Sequence, residues 1–297
     1  MKCRRCQKPA VIKMARHNTS LCRFCFIFYI QDQVKKAISD GKMFDRGEPV
    51  LVAVSGGKDS LALWDVLIKL GYRTAGLHLN LGIGAYSEIS QRKVEAYAES
   101  RGAELIVHAY QEVYGLGVTE IAEESARPPC SACGTMKRYH FNRIALEKGY
   151  PVVATGHNLD DEASRLLGNV LQWQEAYLEK QTPSLPAEAE KWARKVKPLY
   201  RLAEREIAAY AILNRIDYIV EECPNAKGAK TLLYKKILNE LEEASPGTKH
   251  KFYLGFLRRQ KDPLSLKMGD VKSCASCGQP TQGALCAFCR LMERVAK

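Results

Sequence analysis

The feature that most constrains the fold is a repeated alternation of strand and helix patterns along the middle of the 297-residue chain. The run PVLVAV (49–54) is continuously apolar and ends before two glycines, which is typical of a buried strand. DSLALWDVLIKLG (59–71) then repeats apolar residues at helical spacing and ends at a glycine. Such alternation predicts an α/β fold, with a parallel sheet covered by helices on both faces. The other predicted strands are 74–80, 103–110 and 150–156, and the other predicted helices are 87–102, 135–149 and 160–172.

Composition and charge restrict the class of protein. The chain is 46% hydrophobic and 26% charged, which is ordinary for a soluble globular protein. Its net charge of +12 favours a polyanionic partner, although excess Lys and Arg also serve solubility alone. The start MKCRRCQKPA is too polar for a signal peptide, and no apolar run approaches the roughly 20 residues of a membrane span. We therefore expect a soluble, cytoplasmic protein with no membrane partner.

Eight of the eleven cysteines fall into two patterns of paired Cys-x-x-Cys, one near each end of the chain. This spacing is typical of four-thiolate zinc sites with a structural role, and eight independent buried cysteines are a remote alternative. We expect an N-terminal zinc module at 1–27, a catalytic domain at 28–262 and a C-terminal zinc module at 271–297. The segment from about 195 to 260 is predicted to be helical, and 180–191 to be an exposed loop. The expected ligands of the two zinc ions are Cys3, Cys6, Cys22 and Cys25, and Cys274, Cys277, Cys286 and Cys289.

The most informative segment is the turn after the first predicted strand, Ser55-Gly56-Gly57-Lys58-Asp59-Ser60. Its glycines let the backbone approach a phosphate closely, and the following helix N-terminus supplies N–H groups and positive potential. The turn is not a Walker A loop, because Val52 stands where that motif needs glycine. A plain serine-capped turn is the alternative. The six residues resemble the PP-loop of ATP pyrophosphatases, which implies that they bind ATP for cleavage between its α- and β-phosphates.

A second turn of this kind, TGHNLDDEASRLL (155–167), follows the fourth predicted strand. It resembles the Gly-His-Asn-x-Asp-Asp segment of PP-loop enzymes that modify tRNA. The resemblance implies that Gly156 and His157 lie against the nucleotide and that Asp161 holds magnesium or orients the substrate. The alternative is that Asp160 and Asp161 only complement the helix dipole. By the same resemblance, the adenine and ribose lie against the ends of the first two strands, at Ala53 and Leu79.

Three cysteines remain outside the zinc patterns: Cys130, Cys133 and Cys223. A catalytic pair could carry a persulfide and then close to a disulfide. Three thiolates could instead hold a [4Fe–4S] cluster with one iron left free. Inert core cysteines are a third possibility, which the turn-rich RPPCSACG disfavours, since it does not suit the interior of a strand or helix.

The order of these motifs resembles that of the tRNA 2-thiouridine synthetases over almost the whole chain. The resemblance is strongest to the enzymes that thiolate 5-methyluridine in the T loop, and wobble-uridine thiolases share the plan. It implies that Cys130, Cys133 and Cys223 bind a [4Fe–4S] cluster. It further implies that ATP adenylates the uridine C2 oxygen, with Asp59, Lys137 and Asp161 as catalytic residues. Its implied partners are tRNA, a ubiquitin-like carrier that donates sulfur from a C-terminal thiocarboxylate, and a second copy in a homodimer.

Other functions stay open on the sequence alone. Related cluster-bearing enzymes thiolate a cytidine of the anticodon, and other relatives of the fold use ATP for amidation. Lys137 could also be an ordinary solvated helix lysine. From a different class, the chain could be a non-catalytic RNA-binding zinc protein, which the intact SGGKDS and GHNLDD segments argue against.

Overall fold

A mixed sheet forms the centre of the computed structural model, which describes residues 1–185, 192–226, 230–261, 272–278, 280, 281, 283–286 and 289. The strands run in the order β5-β4-β3-β6-β8-β7, and all neighbours pair in parallel except β7 and β8. Their bounds are β3 Val50–Ala53, β4 Thr74–Asn80, β5 Leu105–Ala109, β6 Val152–Thr155, β7 Ser184–Leu185 and β8 Arg194–Val196. The helices are α1 Arg23–Asp40, α2 Lys58–Lys69, α3 Gly84–Arg101, α4 Tyr110–Tyr114, α5 Val118–Glu124, α6 Pro129–Glu147, α7 Leu159–Leu171, α8 Glu175–Glu179, α9 Glu204–Leu213, α10 Lys230–Ala244 and α11 Thr248–Lys261.

The strand order places a ligand-binding crevice beside β3. The chain leaves β3 toward β4 on one side and returns through β6 on the other, so the direction of winding reverses between β3 and β6. Ala53, the last residue of β3, pairs with Leu77 of β4 and with Thr155 at the end of β6. In open α/β sheets, ligands bind outside the carboxyl ends of the strands at such a reversal. Both glycine-containing turns singled out in the sequence therefore emerge side by side at this point.

The predicted α/β architecture is confirmed, with differences in detail. Helix α6 begins at Pro129, so Cys130 and Cys133 lie in its first turns, where a non-helical turn was expected. The double proline suits this start, because proline is tolerated where helix N–H groups have no partner. The segment from 195 contains part of strand β8 and a short 3-10 turn at Pro224–Ala226, so it is not wholly helical. Strand β7 falls in the expected loop 180–191, whose residues 186–191 lie outside the described part of the chain.

The N-terminal cysteine module packs against the helices that cover the sheet. A hairpin of β1 (Ile12–Met14) and β2 (Thr19–Leu21) leads into α1, and Cys3 and Cys22 are buried in the same core as Trp64 of α2. Arg16 of this module lies 3.3 Å from the carboxylate of Glu206 on α9. Residues 1–257 form one compact unit. The expected boundary between residues 27 and 28 lies inside helix α1, and the division of the chain at this point stays a prediction.

Residues 258–297 form a second unit. Its described part contains a two-stranded hairpin of β9 (Lys272–Ser273) and β10 (Pro280–Thr281). Residues 262–271, where the expected boundary of the C-terminal module falls, lie outside the described residues. Among the described helices, none is both long and apolar enough to cross a membrane.

Candidate functional site

Hydrogen bonds within the Ser55–Ser60 turn, and from helix α3 to it, fix the conformation of the turn. The backbone N–H of Ser55 donates to Ser60 Oγ over 3.1 Å, and Ser60 Oγ donates to the carbonyl oxygen of Gly57 over 3.0 Å. Ser90 of α3 donates to the carbonyl oxygen of Ser55 over 2.6 Å. Gly56 has φ of +79°, and a Cβ there would lie 2.8 Å from the Ser90 carbonyl oxygen. The turn is therefore a fixed loop at the N-terminus of α2, whose free N–H groups favour an anion.

The second turn lies directly against the first. A Cβ on Gly156 would lie 2.8 Å from the backbone nitrogen of Ser60, so this glycine permits the two turns to touch. Asn158 links them further, because its Nδ2 donates to Asp59 Oδ1 over 3.3 Å. The Asn158 side-chain oxygen accepts from the backbone N–H groups of Asp160 and Asp161, so asparagine is the cap of α7.

The two adjacent aspartates differ in their surroundings. The side chain of Asp160 is buried, pairs with Lys249 Nζ and accepts from the backbone N–H of Glu204 over 2.8 Å. Asp161 is 28% exposed and lies 2.7 Å from Lys235 Nζ. Asp160 thus serves the packing of α7 against α9 and α11, whereas Asp161 accepts from the backbone N–H of Asn158 over 3.1 Å, as part of the α7 cap, and stays partly exposed.

An ion cluster joins the two turns. Lys58 Nζ lies 3.1 Å from Asp59 Oδ2 and 2.6 Å from Glu204 Oε1, and Lys235 Nζ lies 3.0 Å from Glu204 Oε2. Burial raises the pKa of Glu204, but the hydrogen bonds and charges of Lys58 and Lys235 outweigh it and lower the pKa to about 2. Burial raises the pKa of Asp59, and the charges of Asp161 and Glu204 add to this while Lys58 opposes it. Three carboxylates and two lysines leave the cluster with one negative charge more than positive charges, which favours the binding of a further cation.

A cavity of about 110 Å³ lies on the other side of the Ser55–Ser60 turn. It brings the ends of β3 and β4 together with two of the remaining cysteines and with Lys137, which follows Cys133 by one turn of α6. Burial raises the pKa of Tyr86, and the neighbouring Cys223 and Cys133 raise it further. The cavity is lined by Ala53, Val54, Ser55, His78, Leu79, Leu81, Tyr86, Ser87, Ser90, Cys133, Lys137, Phe141 and Cys223.

Cys223 reaches this cavity because its segment is held at both ends. The backbone N–H of Ile219 donates to the carbonyl oxygen of Gly56 over 2.9 Å. Two residues after Cys223, the carbonyl oxygen of Asn225 accepts from Cys130 Sγ over 3.2 Å. Residues 217–223 form neither helix nor strand, although the segment from about 195 to 260 was expected to be helical. Of the three cysteines outside the zinc patterns, Cys133 and Cys223 therefore line one cavity beside the Ser55–Ser60 turn, and Cys130 contacts the segment that follows Cys223.

The eight remaining cysteines form two groups of four, and within each group the sulfur atoms lie within 4.8 Å of one another. Four thiols at this spacing match a tetrahedral metal site, and the residues present fit a zinc ion. Burial raises the pKa of Cys3, but backbone N–H groups of Cys22, Cys6 and Arg5 lower it to about 6. In the C-terminal group, the N–H groups of Cys286 and Cys277 lower the pKa of Cys274 to about 6. Such thiols are ready to act as thiolate ligands.

The structure brings the expected site residues together around the two turns. Ala53, Ser55 and Leu79 line the cavity, while Lys58, Asp59 and Asp161 lie on the side of the ion cluster. His157 Nδ1 bonds Thr155 Oγ1 over 2.8 Å, and desolvation, with Lys197, lowers its pKa to about 4, so the ring is neutral. The sequence interpretation missed Glu204, Lys235 and His78, because no local motif marks them. His78 donates from Nδ1 to the Val54 carbonyl oxygen over 2.9 Å, and its Nε2 has no hydrogen-bond partner among the described residues.

Comparison with known proteins gives matches to two family models and to several relatives. Residues 28–233 match the PP-loop domain family, and residues 2–27 match the N-terminal LIM domain of the 2-thiouridine synthetase TtuA. A tRNA-5-methyluridine(54) 2-sulfurtransferase of Thermus thermophilus is 50% identical, over 99% of this chain and 92% of the relative. The enzyme of the same name from Thermotoga maritima is 47% identical, over 100% and 98%.

Among solved structures, the U34-tRNA thiolase NcsA from Methanococcus maripaludis with its [4Fe-4S] cluster is similar, with a TM-score of 0.78 and 25% identity. The match covers 99% of this chain and 96% of NcsA. Sequence relatives and structure thus agree on both the fold and the enzyme class. The chain is a sulfurtransferase enzyme, and it belongs to the PP-loop family of tRNA 2-thiouridine synthetases.

Proposed function

We propose that this enzyme uses ATP to replace the C2 oxygen of a tRNA uridine, the T-loop 5-methyluridine, with sulfur. The observation that carries the proposal is the shared cavity, in which the end of the ATP loop at Ser55 lies with Cys133, Lys137 and Cys223. A nucleotide on the loop and a sulfur atom held by the cysteines would then reach the same uridine. The names of the 5-methyluridine(54) relatives favour the T loop over the wobble uridine or an anticodon cytidine.

The loop is proposed to bind the polyphosphate of ATP through the backbone of Gly56 and Gly57, Ser55, Ser60 and the charge of Lys58. Asp59 and Asp161 would hold Mg²⁺, which offsets phosphate charge. The uridine C2 oxygen attacks the α-phosphate, and pyrophosphate leaves. A sulfur nucleophile then attacks C2, and AMP leaves with the original oxygen.

The three thiols Cys130, Cys133 and Cys223 fit a [4Fe–4S] cluster. Cys133 and Cys223 line the same cavity, and Cys130 Sγ contacts the carbonyl oxygen of Asn225, two residues after Cys223. A cluster held by these cysteines would supply one iron without a cysteine ligand, to which a sulfur atom would bind. Lys137 extends from the same helix face as Cys133, one turn on, and is proposed to stabilise negative charge on the α-phosphate. The two four-cysteine groups are proposed to bind Zn²⁺ and to have a structural role.

The N-terminal module offers a surface for tRNA. Residues 1–31 contain seven Lys or Arg and no acidic residue. Phe24 and Phe28 are 74% and 58% exposed, with Lys8 and Arg5 each 5.8 Å from the respective ring centre. Basic side chains bind phosphates, and exposed aromatic rings stack on unpaired bases. We propose that this face contacts tRNA, in an enzyme that acts in the cytoplasm.

Charge reversal at this face is expected to weaken tRNA binding. Arg5→Glu should raise the dissociation constant for tRNA about tenfold and reduce its salt dependence, because a phosphate contact is lost. Phe24→Ala should weaken binding by about the same factor without changing the salt dependence. Filter binding at several salt concentrations measures both effects. Lys148→Glu, an equal charge change at the exposed residue that follows α6, is the control, and an equal loss there would contradict a specific role for the module.

Mass analysis of nucleosides tests the proposed reaction. Unmodified tRNA incubated anaerobically with the enzyme, MgATP and sulfide should gain one thiocarbonyl, located by nuclease mapping to the T loop. AMP and pyrophosphate should appear in equal amounts with it. Thiolation at the wobble uridine or at a cytidine would replace the proposed substrate, and tRNA binding without pyrophosphate release would show a non-catalytic RNA-binding protein. The proposed thiocarboxylated carrier should support the reaction in place of sulfide, and gel filtration should show the proposed homodimer.

A further inference from the structure

Three helices begin around the Ser55–Ser60 turn: α2, α7 and α9. Their first residues are held together, because Asn158 donates to Asp59 and the backbone N–H of Glu204 donates to Asp160. The N–H of Leu159 also donates to the carbonyl oxygen of Leu202 over 2.9 Å. The N–H groups of Leu159, Asp160, Asp161 and Glu204 are used in these contacts and in the Asn158 cap, so it is the partial positive charge of the three helix N-termini that favours an anion here.

Two lysines point into the same place from different helices. Lys58 belongs to the loop, whereas Lys235 comes from α10, which packs on α7 with the ring of Tyr234 directly over Gly168. Lys235 also lies beyond residue 233, where the match to the PP-loop domain ends. Each lysine bonds one oxygen of the same carboxylate, Glu204, over 2.6 Å and 3.0 Å.

The Glu204 carboxylate bridges Lys58 and Lys235, as an anionic ligand would. Its two oxygens bind two cations separately, as two oxygens of one phosphate group would. Among the described residues, the Glu204 carboxylate accepts hydrogen bonds from these two lysines alone. Its side chain is 33% exposed and each lysine 23%, so a ligand from solvent can reach all three groups. By contrast, nearby Glu206 is bound to its own helix start and to Arg16, and its side chain is 10% exposed.

We propose that Lys235 is a second pyrophosphate-binding lysine and that Glu204 occupies the place of the terminal phosphates of ATP while the site is empty. The proposal rests on the proposed function of the Ser55–Ser60 turn. Incoming ATP displaces the Glu204 carboxylate from both lysines, with no covalent change. After adenylation, the same carboxylate competes with pyrophosphate for Lys58 and Lys235 and so speeds pyrophosphate release.

Calorimetry with sodium pyrophosphate, and separately with MgATP, tests both residues. Lys235→Met should weaken pyrophosphate binding at least about tenfold, because a charged hydrogen bond is lost. Glu204→Gln should tighten pyrophosphate binding about tenfold, because the neutral amide competes less well for the lysines. Lys236→Met, the adjacent exposed lysine of α10, should bind as the unchanged protein does. Lys235→Arg should restore much of the affinity, and circular dichroism should show that every variant is folded.

The rate of product release gives a second measurement. Glu204→Gln should lower the steady-state rate of tRNA thiolation and strengthen inhibition by added pyrophosphate, while a single turnover stays as fast as in the unchanged protein. Unchanged pyrophosphate binding by Lys235→Met, or no tighter binding by Glu204→Gln, would overturn this inference alone. If the unchanged protein bound neither ATP nor pyrophosphate, the proposed function of the turn would be rejected together with it.

Discussion

The Cys223→Ala variant, purified anaerobically, is expected to lose its iron and all tRNA thiolation. The unchanged protein should contain about four irons per chain and absorb broadly in the visible range. Two thiolates from one helix hold a cluster weakly, so removing the third ligand, which comes from a distant segment, should bring the iron content close to zero. Zinc at about two atoms per chain should persist, because the four-cysteine groups are separate. Iron, zinc and ATP binding are measured on the same preparation.

The same experiment separates a cluster ligand from a resolving thiol. Ser131→Ala, on the α6 turn between Cys130 and Cys133, is the matched control and should keep both iron and activity. ATP binding should survive in Cys223→Ala, since the Ser55–Ser60 turn is intact. If Cys223 instead resolved a persulfide, the variant would keep any iron present and complete one turnover before stalling. An iron-replete Cys223→Ala protein that makes one equivalent of product would show that the third ligand is wrongly assigned.

Asp161→Ala is expected to abolish thiolation while the protein keeps its iron and loses only about 1 kcal/mol of stability with the α7 capping bond. The Asp161 side chain is partly exposed beside Asp59, and its loss removes a proposed ligand of Mg²⁺ without opening the core. Asp59→Ala should behave in the same way. Thiolated nucleoside per enzyme over time, iron content and urea unfolding are the three measurements. Near-normal turnover of Asp161→Ala would reduce this residue to a helix-terminal charge.

The adjacent Asp160 provides the control for this prediction. Asp160→Ala leaves Lys249 buried without its carboxylate and removes the acceptor at the start of α9, so the free energy of unfolding should fall by about 3–5 kcal/mol. The effect of Asp160→Ala should therefore be a lower stability in urea unfolding, and any lower thiolation rate should be secondary to it. If Asp160→Ala were fully stable and Asp161→Ala unfolded, the assignment of structural and functional roles within the pair would be reversed.

Much of the fold could be predicted, because the patterns that indicate a strand or a helix lie within single short segments of the chain. The strand 74–80 was placed at its observed bounds, and α2 and α7 to within two residues at each end, since apolar periodicity and flanking glycines lie within each segment. Strands β7 and β8 were missed, because two or three residues are too few for a periodic pattern to appear. The start of α6 was missed because its prolines indicated a turn, whereas in a first helical turn they leave no hydrogen bond unmade.

The contiguous motifs can be read from the sequence: a glycine-containing loop at 55–60 that resembles the PP-loop, an acidic helix start at 158–161 and two sets of four cysteines. These follow from residue type and spacing alone, since each is built from a single short segment or a pair of closely spaced turns. Only the tertiary structure decided that Cys223 lies with Cys133, through the bond from Ile219 to Gly56. The tertiary structure also shows that Asp160 is the buried aspartate, and that Glu204 forms ion pairs with both Lys58 and Lys235. Those contacts join residues more than 30 positions apart, and the packing of helices that sets them leaves no repeating signal in the chain.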